Sequence, residues 1–418
     1  MLSSIGLSHK SAPLVVREQL AFGESELPRA LRLLCNLPGV SEALLLSTCN
    51  RSEVYLVSAE TPSVPAIAEL LSTLRDVRPG VFEPFLRQRL GEDAARHILR
   101  VASGLESMIV GESQILGQVR RAFAAAGEIE VAGPVLHRLL QLAIATGRRV
   151  RASTGLGHRS ASVPHAAVAL CRSTWGALEG RAIGIIGAGD MAALAAKAFH
   201  EGGAVVKLIA NRTLETAAVL AARYRAEALG LDEIPSRVEA LDALVVSVGA
   251  DHPILDRSVF EPTLSRSSPL LVVDIGVPRG VDPTVGRLPG VTLYDVDALA
   301  PDHAQYEPSA ENVGAAEAVV EESLEVFVRW LASRAAVPVI AALHRRAEEI
   351  IDEELLRASG RLRGLDERQR RAVRGVVEGA LRKLLHTPFV RLRAKGDDAG
   401  VLALARELFD LDRDGEAR

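Results

Sequence analysis

The feature that most constrains the fold is a glycine-rich turn placed directly after the short apolar run at 182–186. A buried strand followed by Gly-x-Gly-x-x-Ala and a helix is typical of a dinucleotide-binding fold. The first glycine permits a tight turn, the second lets a pyrophosphate approach the backbone, and the alanine keeps the helix close to the sheet. The residues predicted to hold the cofactor here are Gly187, Ala188, Gly189, Asp190, Met191 and Ala192.

The surrounding sequence alternates between strand and helix patterns. Strands are predicted at 182–186, 205–210, 243–247, 270–275 and 291–294, and helices at 190–200 and 213–224. This alternation predicts a parallel, doubly wound sheet of the Rossmann type.

The end of the second strand bears on which nicotinamide cofactor binds. An NAD enzyme usually places an acidic residue there, on the ribose hydroxyls. This chain has Asn211, Arg212 and Thr213, so no carboxylate repels a 2′-phosphate and Arg212 can pair with one. The sequence therefore predicts NADPH. If Arg212 only caps a surface loop, the preference stays open.

Cys49 is the candidate nucleophile. It follows a strand-like apolar segment and stands between Thr48 and Asn50, with Arg51 next. A thiolate is the attacking form of cysteine, and Arg51 is expected to lower the thiol pKa and to hold a substrate carboxylate. The alternative is a structural thiol, since free cysteine also behaves as a small hydrophobe.

Composition narrows the chemistry. The three cysteines, Cys35, Cys49 and Cys171, are widely spaced, so neither a disulfide framework nor a metal site is predicted and a reducing cytoplasm fits best. The N-terminus lacks the pattern of a secretory signal, and no apolar run is expected to span a membrane. A thiol beside a nicotinamide fold, without a metal, suggests reduction of an acyl group through a thioester.

A chain of 418 residues is too long for one core, so several domains are expected. The N-terminal part has an α+β pattern, with strands at 3–7, 43–47 and 53–58, and helices at 13–21, 26–36, 64–76, 93–104, 115–132 and 134–152. A glycine hinge is expected at 155–157. Residues 131–178 contain no Asp or Glu, so their arginines form either a basic surface or scattered solvated positions; they are Arg138, Arg148, Arg149, Arg151, Arg159 and Arg172.

The C-terminal part is helical and charged. Helices are predicted at 310–335, 340–360, 366–385 and 398–411. An apolar stripe recurs at helical spacing along Ile340, Leu343, Ala347, Ile351 and Leu355. Such a stripe needs a partner, which is either a second copy of the chain or the chain's own earlier domains.

Several longer motifs make the chain resemble one family, the glutamyl-tRNA reductases. They are Gly6-Leu7-Ser8-His9-Lys10-Ser11-Ala12-Pro13, Ser47-Thr48-Cys49-Asn50-Arg51-Ser52-Glu53, the run 102–115, Asp274-Ile275-Gly276-Val277-Pro278-Arg279 and Tyr294-Asp295-Val296-Asp297. The resemblance spans nearly the whole chain. It implies NADPH-dependent reduction of glutamyl-tRNA to glutamate-1-semialdehyde, the first committed step of tetrapyrrole biosynthesis by the five-carbon route.

The resemblance also implies roles for single residues. Cys49 is the nucleophile and His97 is important for activity. The implied substrate-binding residues are Thr48, Cys49, Asn50, Arg51, Ser107, Glu112, Ser113, Gln114 and Gln118. Read from its helix alone, His97 fits a structural residue better, and His9 is a second candidate histidine.

The implied architecture has four parts: a catalytic domain at 1–155, an NADP-binding domain at 156–305, a linking helix at 306–338 and a helical dimerisation domain at 339–418. A homodimer is implied, with the arginine-rich window as a candidate tRNA-facing surface. Transfer of the product to glutamate-1-semialdehyde aminomutase is also implied.

Two rival functions are open on the residues. One is an NADP-dependent dehydrogenase of shikimate-dehydrogenase-like type, which needs no strand-end cysteine. The other is a non-catalytic protein that binds aminoacyl-tRNA, against which the intact Gly187-Ala188-Gly189 turn argues.

Overall fold

The computed structural model describes residues 1–156, 162–250, 252–266, 268–299, 309–396 and 398–411. It divides into two compact units, Met1–Leu324 and Glu325–Arg418. The end of the hinge predicted at 155–157, and the domain boundary predicted at 305/306, lie outside the described residues.

The chain begins with an antiparallel sheet in the order β2-β3-β1-β4. Its strands are β1 (Leu2–Ser8), β2 (Val40–Thr48), β3 (Arg51–Ser58) and β4 (Arg87–Leu90). Six helices accompany it: α1 (Leu14–Arg17), α2 (Leu27–Cys35), α3 (Val64–Arg75), α4 (Gly91–Ala102), α5 (Gln114–Glu128) and α6 (Pro134–Ser153). The α+β prediction for this part is confirmed.

Two local predictions in this fold need correction. The helix predicted at 13–21 is α-helical only to Arg17 and continues as a 3-10 turn, Glu18–Leu20. Strand β4 was not predicted, because its sequence Arg-Gln-Arg-Leu shows no apolar alternation. It forms as an edge strand through its backbone pairing with β1, from Ser3 opposite Leu90 to Gly6 opposite Arg87.

The second fold is a six-stranded parallel sheet in the order β10-β9-β8-β5-β6-β7. Its strands are β5 (Ala182–Ile186), β6 (Val205–Ala210), β7 (Glu227–Leu229), β8 (Ala243–Val246), β9 (Leu270–Asp274) and β10 (Val291–Tyr294). Its helices are α7 (Val163–Trp175), α8 (Asp190–Glu201) and α9 (Leu214–Ala221). The predicted doubly wound sheet is confirmed, and α7 and β7 are additions to it. The strand order reverses at β5 and β8, which is where such sheets bind their ligands.

The C-terminal prediction of separate helices at 310–335 and 340–360 is wrong. One helix, α10 (Ala310–Arg357), runs through Pro338. A proline inside a helix removes one backbone hydrogen bond. Burial of Ala336, Val339 and Ile340 on either side of it offsets that loss.

Helix α10 also crosses the boundary predicted at 338/339 without a break. Two further helices follow it, α11 (Glu367–Ala394) and α12 (Ala399–Leu408). Within the second unit, Ile340 and Leu343 of the predicted stripe pack with Leu385 and Leu392 of α11 and Ala405 of α12. The first part of the stripe, from Ile340 to Ala347, is therefore covered by the chain's own C-terminal helices.

The helical segment Ala310–Gly360 also contains a stretch that is long and apolar enough to cross a membrane, with a mean hydropathy of 1.6. The prediction that no run has this property is wrong by that criterion. Length and composition are weak evidence, because core helices of soluble proteins pass the same test.

Candidate active site

Cys49 lies at the tip of a hairpin in the first sheet. Thr48 of β2 pairs with Arg51 of β3, so Cys49 and Asn50 form the connecting two-residue turn. The Asn50 backbone N–H donates to Thr48 Oγ1 at 3.1 Å, and the Asn50 carbonyl accepts from the backbone N–H of His9 at 2.9 Å. These bonds fix the turn, and the Cys49 thiol there is half-buried.

Behind the turn, three side chains are tied to one carboxylate, that of Glu53. Its Oε1 lies 2.8 Å from His97 Nε2 and 3.2 Å from Arg51 Nη1, and its Oε2 accepts from the Tyr55 hydroxyl at 2.7 Å. All four residues are buried, with 1–5% of their surface exposed. Burial alone would raise the pKa of the Glu53 carboxyl, but the charges of His97 and Arg51 outweigh it and hold that pKa well below its usual range.

The pairing of β1 with β3 also explains one of the sequence motifs. Gly6 of β1 lies opposite Glu53 in the sheet. A Cβ at Gly6 would overlap the Ser52 carbonyl oxygen and lie 2.5 Å from Glu53 Cα, which is too close for a real contact. The glycine of the first motif therefore lets β1 approach the backbone of the second motif closely.

Arg51 has a second partner, the loop between α4 and α5. Its Nη2 donates to the Glu106 carbonyl, and its Nε is buried without a partner. The Glu106 carboxylate accepts from Lys10 Nζ at 2.6 Å and from Arg100 Nε at 2.8 Å. Burial opposes ionisation of Glu106, but these two bonds outweigh it and lower its pKa to about 2. These partners occupy part of the Arg51 guanidinium, so only its remaining N–H groups are available to a substrate.

The Cys49 thiol is not a resting thiolate. Burial, followed by the negative charge of Glu112, raises its pKa to about 12, against the opposing charges of Arg17 and Arg51. Arg51 lowers the thiol pKa in the expected direction, but burial and Glu112 outweigh it, so Arg51 does not ionise the thiol. Among the described residues, no hydrogen bond joins His97 to Cys49, because His97 Nε2 is held by Glu53.

The other predicted substrate residues lie in or after the α4–α5 loop. Ser107 and Glu112 are buried, and Ser113 is exposed at the start of α5. Gln114 and Gln118 are partly buried and four residues apart, so they share one face of α5. Burial raises the pKa of Glu112 to about 7, although Arg51 and Arg151 oppose the shift.

Several polar atoms near the thiol have no hydrogen-bond partner although they are buried. Those in and around the predicted substrate residues are Asn50 Oδ1, Arg51 Nε, Gln114 Nε2 and His9 Nδ1. Buried polar groups in proteins are nearly always bonded, so an unpaired set calls for an explanation. One explanation is a polar ligand that supplies the missing hydrogen-bond partners.

The nucleotide site lies at the carboxyl end of β5. Gly187 has a φ of +108°, and a Cβ there would overlap the Ser247 carbonyl oxygen, so only glycine fits. A Cβ at Gly189 would meet no atom within 4 Å, so the backbone there faces open space. A pyrophosphate can approach at this point, next to the N-terminus of α8.

Most of the predicted cofactor residues surround one cavity of about 280 Å³, and none of the described residues that line it is acidic. Its lining includes Gly187, Ala188, Gly189, Asn211, Arg212, Thr213, Ser247 and Val248. Asp190 instead lines a neighbouring cavity with Glu215 and Arg223. Met191 and Ala192 pack into the core of the fold, which keeps α8 close to the sheet.

Three arginines of the predicted arginine-rich window make contacts within the chain. Arg149 pairs with Glu322 of α10. Arg151 donates to the Gly147 and Glu112 carbonyls, and Arg172 donates to the carbonyl of Gly202. Arg159 lies outside the described residues.

Glu53 was not among the site residues predicted from the sequence. Glu53 closes the cysteine motif, yet its partner His97 lies 44 residues away. A signal was present: β3 continues directly after Glu53 as an apolar run at 54–57, and a carboxylate at the start of such a buried run must be paired.

Comparison with known proteins agrees with the residues. Three family models match: the glutamyl-tRNA reductase N-terminal domain over residues 5–154, shikimate/quinate 5-dehydrogenase over 169–301, and the glutamyl-tRNA reductase dimerisation domain over 315–411. The glutamyl-tRNA reductase of Syntrophotalea carbinolica is 37% identical over 99% of this chain and 95% of its own. That of Rubrobacter xylanophilus is 38% identical over 98% and 97%.

A solved structure agrees as well. The glutamyl-tRNA reductase from Methanopyrus kandleri covers 99% of both chains with 29% identity and a TM-score of 0.53. Motifs, fold and full-length similarity lead to one conclusion: the chain belongs to the glutamyl-tRNA reductase family.

Proposed function

We propose that this protein reduces glutamyl-tRNA to glutamate-1-semialdehyde, with Cys49 as the nucleophile and NADPH as the reductant. Its family membership makes it a nicotinamide-dependent oxidoreductase of tetrapyrrole biosynthesis that acts on glutamyl-tRNA. The observation that carries the residue assignment is the hairpin tip that holds the Cys49 thiol in front of the buried Arg51–Glu53–His97 network.

In the first step, the Cys49 sulfur attacks the carbonyl carbon of the ester between glutamate and tRNA. A carbon–sulfur bond forms, the bond to the ribose oxygen breaks, and that oxygen leaves with a proton. Because the thiol pKa is about 12, the thiol needs a proton acceptor. Glu112 fits this role, since a pKa of about 7 leaves it partly ionised at neutral pH. We assign His97, oriented by Glu53, to protonate the leaving oxygen.

The glutamyl group is expected to bind to the predicted substrate residues beside the thiol. Asn50, Arg51 and Gln114 each present a buried polar atom without a partner. A carboxylate, an ammonium group and a carbonyl supply the complementary donors and acceptors.

The nucleotide cavity fits NADPH. The Gly187 turn and the N-terminus of α8 would hold the pyrophosphate. Arg212, with Asn211 and Thr213, would hold the 2′-phosphate, because these residues line the cavity and none of its described lining residues is acidic. When bound, NADPH would supply the hydride that reduces the thioester to an aldehyde. The carbon–sulfur bond breaks, and the Cys49 sulfur leaves as a thiolate that takes back the proton held by Glu112. Arg212→Glu is expected to weaken NADPH binding much more than NADH binding.

The protein is expected to work as a homodimer. Its C-terminal helices match a dimerisation domain. Large apolar side chains there, Leu356, Val376, Leu384 and Leu408, are 70–74% exposed in the single chain.

We place the enzyme in the cytoplasm, and we propose that its reactive aldehyde passes to an aminomutase.

The test is product analysis with glutamyl-tRNA and NADPH. We expect glutamate-1-semialdehyde, and we expect Cys49→Ser to form neither thioester nor aldehyde while binding NADPH normally. Cys35→Ser is the matched control, since Cys35 is also half-buried but lies at the end of α2. Semialdehyde formation by Cys49→Ser would refute the assignment. NADP-linked oxidation of shikimate that survives thiol alkylation would favour the dehydrogenase alternative.

A further inference from the structure

Two ion pairs join the thiol-bearing fold to the nucleotide-binding fold inside the first unit. Asp297 accepts from Arg17 at 2.7 and 3.2 Å and from the Leu14 backbone N–H at 3.2 Å. Glu18 accepts from Arg279 at 2.9 and 2.5 Å. Bidentate pairs of this kind fix orientation as well as distance. Asp297 and Arg279 close the last two sequence motifs, for which no role has been given so far.

Arg17 is the buried member of this junction. Its side chain is 2% exposed, whereas that of Asp297 is 37% exposed. Arg17 Nη1 also donates to the Ala12 carbonyl at 3.2 Å, and its Nε is buried without a partner. Asp297 therefore provides two of the three hydrogen bonds that hold the guanidinium.

The segment that follows Arg17 packs on both strands of the Cys49 hairpin. Ser52 Oγ of β3 donates to the Leu20 carbonyl at 2.6 Å. The Phe22 backbone N–H donates to Ser47 Oγ of β2 at 2.9 Å. Arg17 is thus carried by an element that is bonded to the strands on each side of the thiol.

Three charged residues act on the thiol, each from a different element. Glu112, in the α4–α5 loop, opposes ionisation, and Arg17 of α1 and Arg51 of β3 favour it. The Arg17 guanidinium is tied to the base of the turn, because its partner Ala12 donates to the Ser8 carbonyl and Ser8 lies opposite Arg51 in the sheet. Arg51 is paired with the buried Glu53, while the partner of Arg17 is partly in solvent, where its opposing charge is better screened. His9 contributes no charge at neutral pH, because burial and then Arg51 and Arg17 lower its pKa to about 4.

We propose that Arg17 is a positioning residue that couples the two folds: Asp297 of the nucleotide-binding fold holds the Arg17 guanidinium near the Cys49 turn, so the thiol is most reactive when the folds are joined. This role rests on Cys49 being the nucleophile. It makes the reactivity of the thiol depend on a fold that contributes no atom to the hairpin.

The experiment measures the rate of Cys49 alkylation by iodoacetamide in the full chain, without tRNA or NADPH, from acidic to alkaline pH. Below its pKa, a thiol loses about tenfold of its thiolate for each unit by which the pKa rises. We expect Arg17→Gln to slow alkylation roughly three- to tenfold at each pH well below the thiol pKa. Asp297→Asn should act in the same direction but less, and Arg17→Lys should stay near the wild-type rate. Alkylation of Cys35 in the same samples is the internal standard.

Glu18→Gln is the matched control, because it breaks the other ion pair of the same junction and leaves the Arg17 charge in place. An unchanged rate of Cys49 alkylation in Arg17→Gln would overturn the proposal. So would an equal slowing in Glu18→Gln, which would mean that the junction only stabilises the fold. If Arg17→Gln does not fold, the rate of Cys49 alkylation in Asp297→Asn tests the proposal instead. The separate assay for a thioester with glutamyl-tRNA tests the proposed function itself.

Discussion

The surroundings of Cys49 and of Gly187 are built in different ways. Around Cys49, buried charged side chains converge on Glu53 and on the Glu106 loop. Around Gly187, the cavity is shaped by backbone, with two glycines where a side chain would clash or would fill the space. Burying charges costs free energy unless they stay paired, so a change at one member disturbs the whole first site. A change in the glycine turn should remain local.

The largest expected effect is that of Glu53→Gln. It leaves Arg51 and His97 buried without their counter-ion, and breaking such a pair costs about 3–5 kcal/mol. The loss should shrink as the pH falls. The folded-state pKa of Glu53 is depressed, so its contribution is complete above the ordinary glutamate pKa and disappears as the folded-state carboxyl takes up a proton. Urea unfolding at neutral and acidic pH measures the loss of stability in Glu53→Gln and its decrease as the pH falls.

Glu42→Gln is the matched control for that change. Glu42 is equally buried in the same fold, but its carboxylate accepts from the backbone N–H groups of Val135 and Leu136 at the start of α6. Its loss should lower stability by about 1–2 kcal/mol, like the loss of a helix cap, while the thioester at Cys49 still forms. Normal thioester formation by Glu53→Gln would contradict the role given to the network.

A smaller and more local effect is expected from Gly187→Ala. Strain at a left-handed position costs roughly 1–3 kcal/mol, so stability should fall by that amount and NADPH affinity by about tenfold or more. Thioester formation at Cys49 should be unaffected. Gly189→Ala separates backbone strain from steric blocking of the cofactor. A Cβ at Gly189 lies in open space, so NADPH binding should weaken while the melting temperature stays the same. Equal melting temperatures for the two variants would show that the Gly187 turn is not strained.

The same contrast explains how much could be predicted from sequence. The Gly187 turn is local, so its six residues and the flanking strand and helix were enough to place it. The network is not local, since His97 meets Glu53 from 44 residues away and Arg17 meets Asp297 across 280. Neither hydrophobic periodicity nor sequence motifs show which charged side chains, far apart in sequence, will be buried next to each other. For that reason the sequence assigned Arg51 to the thiol and the substrate, whereas the fold pairs it with Glu53.

The smallest expected effect concerns Glu112 and has the opposite sign. Burial raises its pKa from 4.5 to about 7, so between those values the folded chain keeps a proton that the unfolded chain releases. Wild-type stability should therefore fall as the pH rises through this window, by at most about 3 kcal/mol. Glu112→Gln removes that dependence, and its advantage over the wild type should grow from near zero at about pH 4 to its full size at about pH 8.

Denaturant midpoints at several pH values measure this growth, and a difference that stays constant with pH would show that Glu112 titrates normally. Removing the Glu112 charge should also make Cys49 more reactive toward iodoacetamide, because that charge opposes the thiolate. Arg17→Gln should make it less reactive. Opposite shifts in one assay would establish that charge, and not a loosened loop, sets the reactivity of the thiol, since loosening would expose Cys49 in both variants.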